Sequence, residues 1–188
     1  MRGCIVRKLF LFLLLISACN KVDSVSSIKS LLNSNGIPLE KQISKISTIG
    51  SGNVVWLTLN TLKIKRTDNK NTYKIIRVDR YSIRVDNSSL YYDIDTSHIS
   101  AFLDLDDLNG IVKTINEIID RDTSQSSSFQ IYYLTKDNFG IGINIEGDNS
   151  PAKFGYAQLN RNLFLFDNME ELIQFRSSLL ICRKFLEN

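Results

Sequence analysis

Cysteine, histidine and proline are scarce in this chain of 188 residues, which has three cysteines, one histidine and two prolines. Cys4 and Cys19 both lie near the start, so Cys182 has no partner in the rest of the chain and a disulfide framework is excluded. One histidine and one remaining cysteine supply too few soft ligands for zinc, and only carboxylates could complete such a site. The sequence therefore predicts no metal site and no cofactor, and we interpret Cys182 as a small buried hydrophobic residue.

An excess of charge is also missing once the first 18 residues are set aside. Those residues contain Arg2, Arg7 and Lys8 and no acidic residue. Of the 23 lysines and arginines, 20 therefore remain, against 20 aspartates and glutamates. A domain without a positive excess lacks the electrostatic footprint of a nucleic-acid-binding protein, so no nucleic-acid partner is expected.

The basic start is followed by an uninterrupted apolar run from Leu9 to Ile16. This run is too short to cross a bilayer, because a membrane-spanning helix needs about 20 apolar residues. A positively charged start and a short apolar run are typical of a secretory signal peptide.

The apolar run ends in Ile16-Ser17-Ala18-Cys19, which resembles the lipobox of bacterial lipoproteins. The resemblance implies that residues 1–18 are a signal peptide and that the Cys19 thiol carries a diacylglycerol at the start of the mature protein. Ordinary secretory cleavage after Ala18 is the alternative, and Ile16 counts against it because a small residue is preferred there. Asn20 replaces the aspartate that retains many such lipoproteins in the inner membrane, which favours the outer membrane.

The rest of the chain has the composition of one globular domain, since 43% of all residues are hydrophobic and 23% are charged. Residues 20–30 are mostly small and polar, which predicts a flexible tether. We therefore expect a tether and N-terminal segment over residues 19–47 and a single α+β domain over residues 48–188.

Alternating apolar and polar residues predict a series of strands. The predicted strands cover residues 53–65, 73–78, 81–86, 90–95, 99–103, 129–133, 139–146, 154–159 and 163–166. In the first strand, Leu57 lies on one face whereas Leu62 and Ile64 lie on the other, which predicts a bulge or a bend near Asn60-Thr61.

Apolar residues at helical spacing predict two helices, one from Asp104 to about Asp122 and one from about Met169 to Leu186. Asp104 is a suitable N-cap, and Gly110 inside the first helix predicts close packing on the sheet. The expected fold class is α+β, with a curved antiparallel sheet made of two β-meander segments and two packed helices.

The two predicted helices begin alike, because residues 102–108 match residues 166–172 at an offset of 64. Each unit would then be a β-meander closed by a helix. Shared capping chemistry produces the same similarity, and the strands do not align at that offset. The sequence leaves an internal duplication open.

Residues 101–118 (Ala-Phe-Leu-Asp-Leu-Asp-Asp-Leu-Asn-Gly-Ile-Val-Lys-Thr-Ile-Asn-Glu-Ile) and 133–140 (Tyr-Leu-Thr-Lys-Asp-Asn-Phe-Gly) are similar to a family of small uncharacterised bacterial α+β proteins. The similarity covers roughly residues 99–180. The shared motifs are structural rather than chemical, so the resemblance implies no activity.

His98 is the only candidate histidine for a Ser-His-Asp triad, but the chain has no Gly-x-Ser-x-Gly motif, so a surface or edge histidine is the better interpretation. Asp93, Asp95, Ser97 and Asp104 have part of the spacing of a calcium-binding loop, without its central glycine. The alternation around them indicates the solvent face of a strand instead.

The remaining candidates also favour structural roles. Gly140 and Gly142 lie within a predicted strand, where they indicate close approach of a neighbouring group rather than a nucleotide-binding loop. Most aromatic residues are expected in the core or the half-buried sheet. They include Trp56, Tyr73, Tyr81, Tyr91, Tyr92, Tyr132 and Tyr133.

Two functions are consistent with these observations. The favoured one is a membrane-anchored lipoprotein of the bacterial cell envelope that acts as a non-enzymatic binding or interaction module, with an envelope protein as candidate partner. The alternative is an envelope hydrolase that uses clustered carboxylates such as Asp93, Asp95 or Asp104, which would require a cleft with convergent acids.

Overall fold

The computed structural model describes residues 24–50, 54–86, 93–121, 128–145 and 154–188, over which the chain forms three helices and eight strands. The helices are α1 (Val25–Asn33), α2 (Leu105–Ile119) and α3 (Met169–Glu187). The first four strands are β1 (Leu39–Ile49), β2 (Val55–Arg66), β3 (Thr72–Asp86) and β4 (Asp93–Leu103). The others are β5 (Phe129–Leu134), β6 (Phe139–Ile145), β7 (Tyr156–Leu159) and β8 (Asn162–Leu165).

The strands form two antiparallel sheets of four, each in chain order. We call β1 to β4 the first sheet and β5 to β8 the second sheet. Each sheet is followed by a helix, so the predicted α+β class is confirmed, as is its construction from two meanders. None of the described helices has both the length and the apolar character needed to cross a bilayer.

The main core lies between the inner faces of the two sheets and contains both longer helices. Helices α2 and α3 pack against each other. Although α2 follows the first sheet, the strands that it contacts most are β5 and β6, whereas those that α3 contacts most are β1, β2 and β3. Helix α2 therefore covers the second sheet, and α3 covers the first. Because burial of apolar surface is the main stabilising contribution to folding, this packing joins the two sheets and their helices into one domain.

Helices α2 and α3 begin as the sequence predicts. The backbone N–H of Asp107 donates to Asp104 Oδ1 at 3.0 Å, and the N–H of Asp104 donates to Asp107 Oδ2 at 3.3 Å. This reciprocal capping box satisfies two backbone donors that have no partner within the helix. At the start of α3, Asn168 Oδ1 accepts from the N–H of Glu171 at 2.9 Å.

The similarity between the helices continues beyond their caps. Four positions of α2 and the positions 64 residues later in α3 are all buried. They are Leu108 and Leu172, Ile111 and Phe175, Ile115 and Leu179, and Ile118 and Cys182. The sheets differ, since the first has strands of 11 to 15 residues and the second has strands of 4 to 7 residues. A duplication therefore remains an open prediction.

The predicted bulge near Asn60-Thr61 is wrong for β2, which pairs with β3 without a break. The irregularity lies on β1 instead, between Lys45 and Ser47, which pair with Asn60 and Leu59 of β2. The apolar residues of β2 change face because the first sheet is covered on both sides. Its inner face contributes to the main core, and the opposite face is covered at one end by α1.

Helix α1 lies within the segment that the sequence predicts to be a tether, so the tether prediction is wrong over residues 25–30. Val25, Ile28 and Leu31 are buried with Leu62, Ile64 and Ile75 of the first sheet in a small second core. Ser24 caps the helix by accepting from the N–H of Ser27 at 3.3 Å. A few apolar residues at helical spacing among serines were sufficient for this packing.

The predicted domain boundary at residue 48 is also wrong, because β1 pairs with β2 from Leu39 onwards. The packed domain thus includes residues from Ser24 to Asn188 among those described. The predicted signal peptide, the strand residues 90–92 and the turns near residues 87–89 and 147–151 lie outside the described residues.

Candidate functional site

Of the aspartates considered for a hydrolase, Asp104 lies far along the chain from the other two. Asp93 and Asp95 lie on β4, and Asp104 follows the end of that strand. Since a strand rises about 3.3 Å per residue, nine residues place Asp104 roughly 30 Å along the chain from Asp95. The extended backbone also excludes the calcium-loop interpretation and confirms the strand that the alternation indicated.

Asp104 has a structural role in addition to capping α2. Its carboxylate accepts from Lys136 Nζ at 2.8 Å, and Asp107 beside it accepts from the backbone N–H of Lys136 at 3.3 Å. Burial and the neighbouring Asp104 charge raise the pKa of the Asp107 carboxyl. The acidic start of α2 therefore holds the turn between β5 and β6.

A more concentrated polar cluster lies on the outer face of the first sheet, around Asp79. This side chain is completely buried. Its Oδ2 accepts from Asn60 Nδ2 at 2.7 Å and from Arg77 Nε at 3.0 Å. Its Oδ1 accepts from Ser100 Oγ at 2.6 Å and lies 3.2 Å from His98 Nε2. We call these five residues the Asp79 cluster.

Strand register creates the Asp79 cluster. Asn60 of β2 pairs with Arg77 of β3, and Asp79 pairs with Ser100 of β4. Because paired residues and residues two apart share a face, all of these side chains point to the same side of the sheet. The intervening Arg80 points inward, where its Nε donates to the carbonyl of Leu163 at 3.1 Å and burial lowers its pKa.

An aromatic ladder borders the Asp79 cluster. The rings of Trp56 and Tyr81 stack at 5.3 Å between centroids, and Tyr81 stacks on His98 at 4.9 Å. The His98 side chain is 46% exposed and lies on β4, an edge strand. Its prediction as a surface or edge histidine is confirmed.

The geometry of Asp79, His98 and Ser100 differs from that of a catalytic triad. In a triad the histidine contacts serine through one ring nitrogen and aspartate through the other. Here both contacts involve Nε2, at 3.0 Å from Ser100 Oγ and 3.2 Å from Asp79 Oδ1. Ser100 also donates directly to Asp79, so its hydroxyl is already engaged by the acid. The arrangement positions polar groups without activating a nucleophile.

Sequence reasoning did not identify Asp79 and Arg77, because it placed a break between two short strands at residues 79–80. The structure has the single long strand β3 there. The available signal was that no glycine, proline or asparagine interrupts residues 73–85. The partners of Asp79 come from three strands, and their register is not readable from one sequence.

The remaining candidates have structural positions where they are described. Tyr73 and Tyr133 pack against the cores, whereas Tyr132 is exposed and covers Gly140. The predicted close approach at this glycine is confirmed, since an added Cβ would overlap Tyr132. Among the described residues, no group of three histidine, cysteine, aspartate or glutamate side chains could hold a metal ion.

Cys182 is completely buried in α3, as expected. Burial raises the pKa of its thiol from 9.0 to about 12. We expect the native protein to be inert to a thiol reagent at pH 8 and to react once unfolded in urea, because the thiolate is the reactive form. Release of a chromophoric thiol reports the reaction, and rapid modification of this residue in native protein would contradict the burial.

The Cys182 thiol should also make the free energy of unfolding decrease as the pH rises. Above about pH 9 the unfolded chain loses the thiol proton, whereas the folded chain keeps it up to about pH 12. The unfolded state is therefore favoured progressively as pH rises through that interval. A Cys182→Ala variant lacks this contribution, so its unfolding free energy should decrease less steeply over the same range in urea titrations.

The fold defines an α+β domain with a polar and aromatic face on its first sheet. No protein-family model, curated protein or solved structure matches the chain. The similarity of residues 101–118 and 133–140 to small bacterial proteins thus remains a prediction.

Proposed function

We propose that this protein is a membrane-anchored lipoprotein of the bacterial cell envelope whose domain acts as a non-enzymatic binding module. The lipobox at Ile16-Ser17-Ala18-Cys19 supports the anchor. Two or three acyl chains on Cys19 would hold the protein durably at a bilayer, since each buried CH₂ contributes about 0.8 kcal/mol. Asn20 favours the outer membrane.

The observation that carries the binding role is the Asp79 cluster. One buried carboxylate fixes the positions of Arg77 and His98, whose side chains remain 25% and 46% exposed. Fixed polar groups beside half-buried aromatic rings are typical of surfaces that bind a partner. Such groups lose little conformational entropy when they contact the partner. Among the described residues, nothing favours the hydrolase alternative.

Metabolic labelling with palmitate tests the anchor. We expect the wild-type chain to incorporate label and to fractionate with membranes, and we expect Cys19→Ala to do neither, because the acylated thiol is removed. A Cys182→Ala variant is the matched control and should label normally. Label retained by Cys19→Ala would contradict the assignment. Density separation of the two membranes then tests the preference for the outer one.

Site-specific photocrosslinking in intact cells tests the binding face. A photoreactive residue at His98 should give a discrete adduct that disappears when Arg77→Ala is added, because both side chains border the same surface. A photoreactive residue at Lys113, which is exposed on α2, is the control. Equal adducts from both positions, or none from His98, would argue against this face as the contact surface.

A further inference from the structure

Among the described residues of β5 to β8, none that lies on the outer face of the second sheet is charged. Because side chains alternate along each strand, the pairing of β5 to β8 assigns every residue to one face. The outward residues are glycine, asparagine and glutamine together with five larger ones. These five form the surface that we call the Tyr-Leu patch, namely Tyr132, Leu134, Tyr156, Leu163 and Leu165.

The Tyr-Leu patch is accessible in the isolated domain. Leu134 and Leu163 are half-exposed, and Leu165 and Tyr132 are each 41% exposed. An antiparallel sheet with one solvated face normally carries polar residues there, as the first sheet does with Lys41, Arg77 and His98. A contiguous exposed apolar patch marks an interaction surface. The composition of the Tyr-Leu patch therefore indicates that this face contacts another apolar surface.

The described chain begins near the turn that joins β5 to β6, which lies at one end of the Tyr-Leu patch. In α1, Lys29 forms an ion pair with Asp137, in the turn that joins β5 to β6. The patch residue Leu134 ends β5 immediately before this turn. Since a helix rises 1.5 Å per residue, Ser24 lies only about 7.5 Å along the axis from Lys29.

The chain length between the proposed lipid and α1 limits how far the domain can stand from the bilayer. Five peptide units connect Cys19 to Ser24, and a fully extended chain spans at most about 18 Å over that length. We propose that the Tyr-Leu patch rests on the surface of the lipid bilayer. This inference depends on the lipid anchor of the proposed function.

A bilayer suits the Tyr-Leu patch better than a second copy of this chain. Strands about 4.8 Å apart, with residues about 3.3 Å apart along them, give a face of about 350 Å², whereas a stable interface buries about 800 Å² per partner. Tyrosine is enriched where proteins meet the membrane–water interface. With acyl chains supplying affinity, a small uncharged patch suffices to orient the domain.

Cysteine labelling of the full, processed chain in vesicles tests this orientation. Leu165→Cys places a thiol on the Tyr-Leu patch, and Ile173→Cys is the matched control, because both parent side chains are 41% exposed. Ile173 lies on α3, whose buried residues belong to the main core on the inner side of the second sheet. Cys182 does not interfere, since it is buried with a pKa of about 12.

The thiols are labelled with nitrobenzoxadiazole, and the protein is reconstituted in phosphatidylethanolamine–phosphatidylglycerol vesicles with and without doxyl-labelled lipid. The label at residue 165 should lose about half of its emission to the doxyl groups, because interfacial surfaces sit about 5–10 Å into the headgroup boundary. The label at residue 173 should keep its emission.

The outcomes separate the two proposals. Equal quenching at both positions, or none at residue 165, in protein that still floats with the vesicles would overturn the orientation and leave the anchor intact. Elution of the detergent-solubilised chain at twice its mass, with no quenching at residue 165, would assign the face to a second copy. Labelling of the parent chain at Cys19, or failure to float with vesicles, would refute the lipid anchor itself.

Discussion

Replacing Asp79 with alanine should lower the free energy of unfolding by about 3–5 kcal/mol, the usual cost of removing one partner from a buried charged network. The carboxylate is completely buried and is contacted by Asn60, Arg77, Ser100 and His98. Without it, these donors lose their shared acceptor while still being partly shielded from water. Urea unfolding followed by circular dichroism measures the change.

Asp68→Ala is the matched control for Asp79→Ala. Each aspartate pairs with an arginine two residues earlier, but the Asp68 side chain is 42% exposed. Its removal should leave the urea midpoint nearly unchanged, because water replaces the lost partner. Asp79→Asn, which retains the shape and one acceptor oxygen, should be less destabilising than Asp79→Ala. Equal midpoints for Asp68→Ala and Asp79→Ala would show that the cluster does not stabilise the fold.

Gly110→Ala should destabilise the domain by about 1–3 kcal/mol through overpacking, even though alanine is favoured over glycine in a helix by about 1 kcal/mol. The cause is the ring of Tyr133, which occupies the space that a Cβ on Gly110 would need. Helix α2 can approach β5 this closely only without a side chain. Thermal and urea unfolding of the purified domain measure the loss.

Two variants isolate the steric origin of the Gly110→Ala effect. Asn109→Ala changes the neighbouring exposed position of the same helix and should be neutral or slightly stabilising, as helix propensity dictates. Adding Tyr133→Leu to Gly110→Ala should recover part of the loss, because a smaller side chain leaves room for the methyl group. A Gly110→Ala protein at least as stable as wild type would contradict the close approach.

Helices α2 and α3 could be predicted from the sequence because their signals are local. Asp104 is the predicted N-cap and forms a capping box with Asp107, and residues buried at helical spacing fix the face of α2. Gly110 was recognised as a close-packing position for the same reason, since a glycine costs stability in a helix unless a neighbour uses the space.

The sites that could not be predicted depend on contacts between distant segments. Asp79 becomes buried only because β2 and β4 align Asn60 and Ser100 beside it. The serine-rich segment before Asn33 has the composition of a tether, and it forms α1 because the first sheet offers an apolar surface at Leu62 and Ile64. Tertiary packing overrides local propensity in such segments.

The pattern in which α2 covers the second sheet and α3 covers the first has a consequence for dissection of the chain. Cleavage between α2 and β5 would yield two fragments, each with a sheet whose apolar side has lost its cover. Neither piece would fold alone, yet mixing them would restore both covers at once. The halves should therefore behave as mutually dependent complements, and a stable fragment of this protein must retain the connection or both partners.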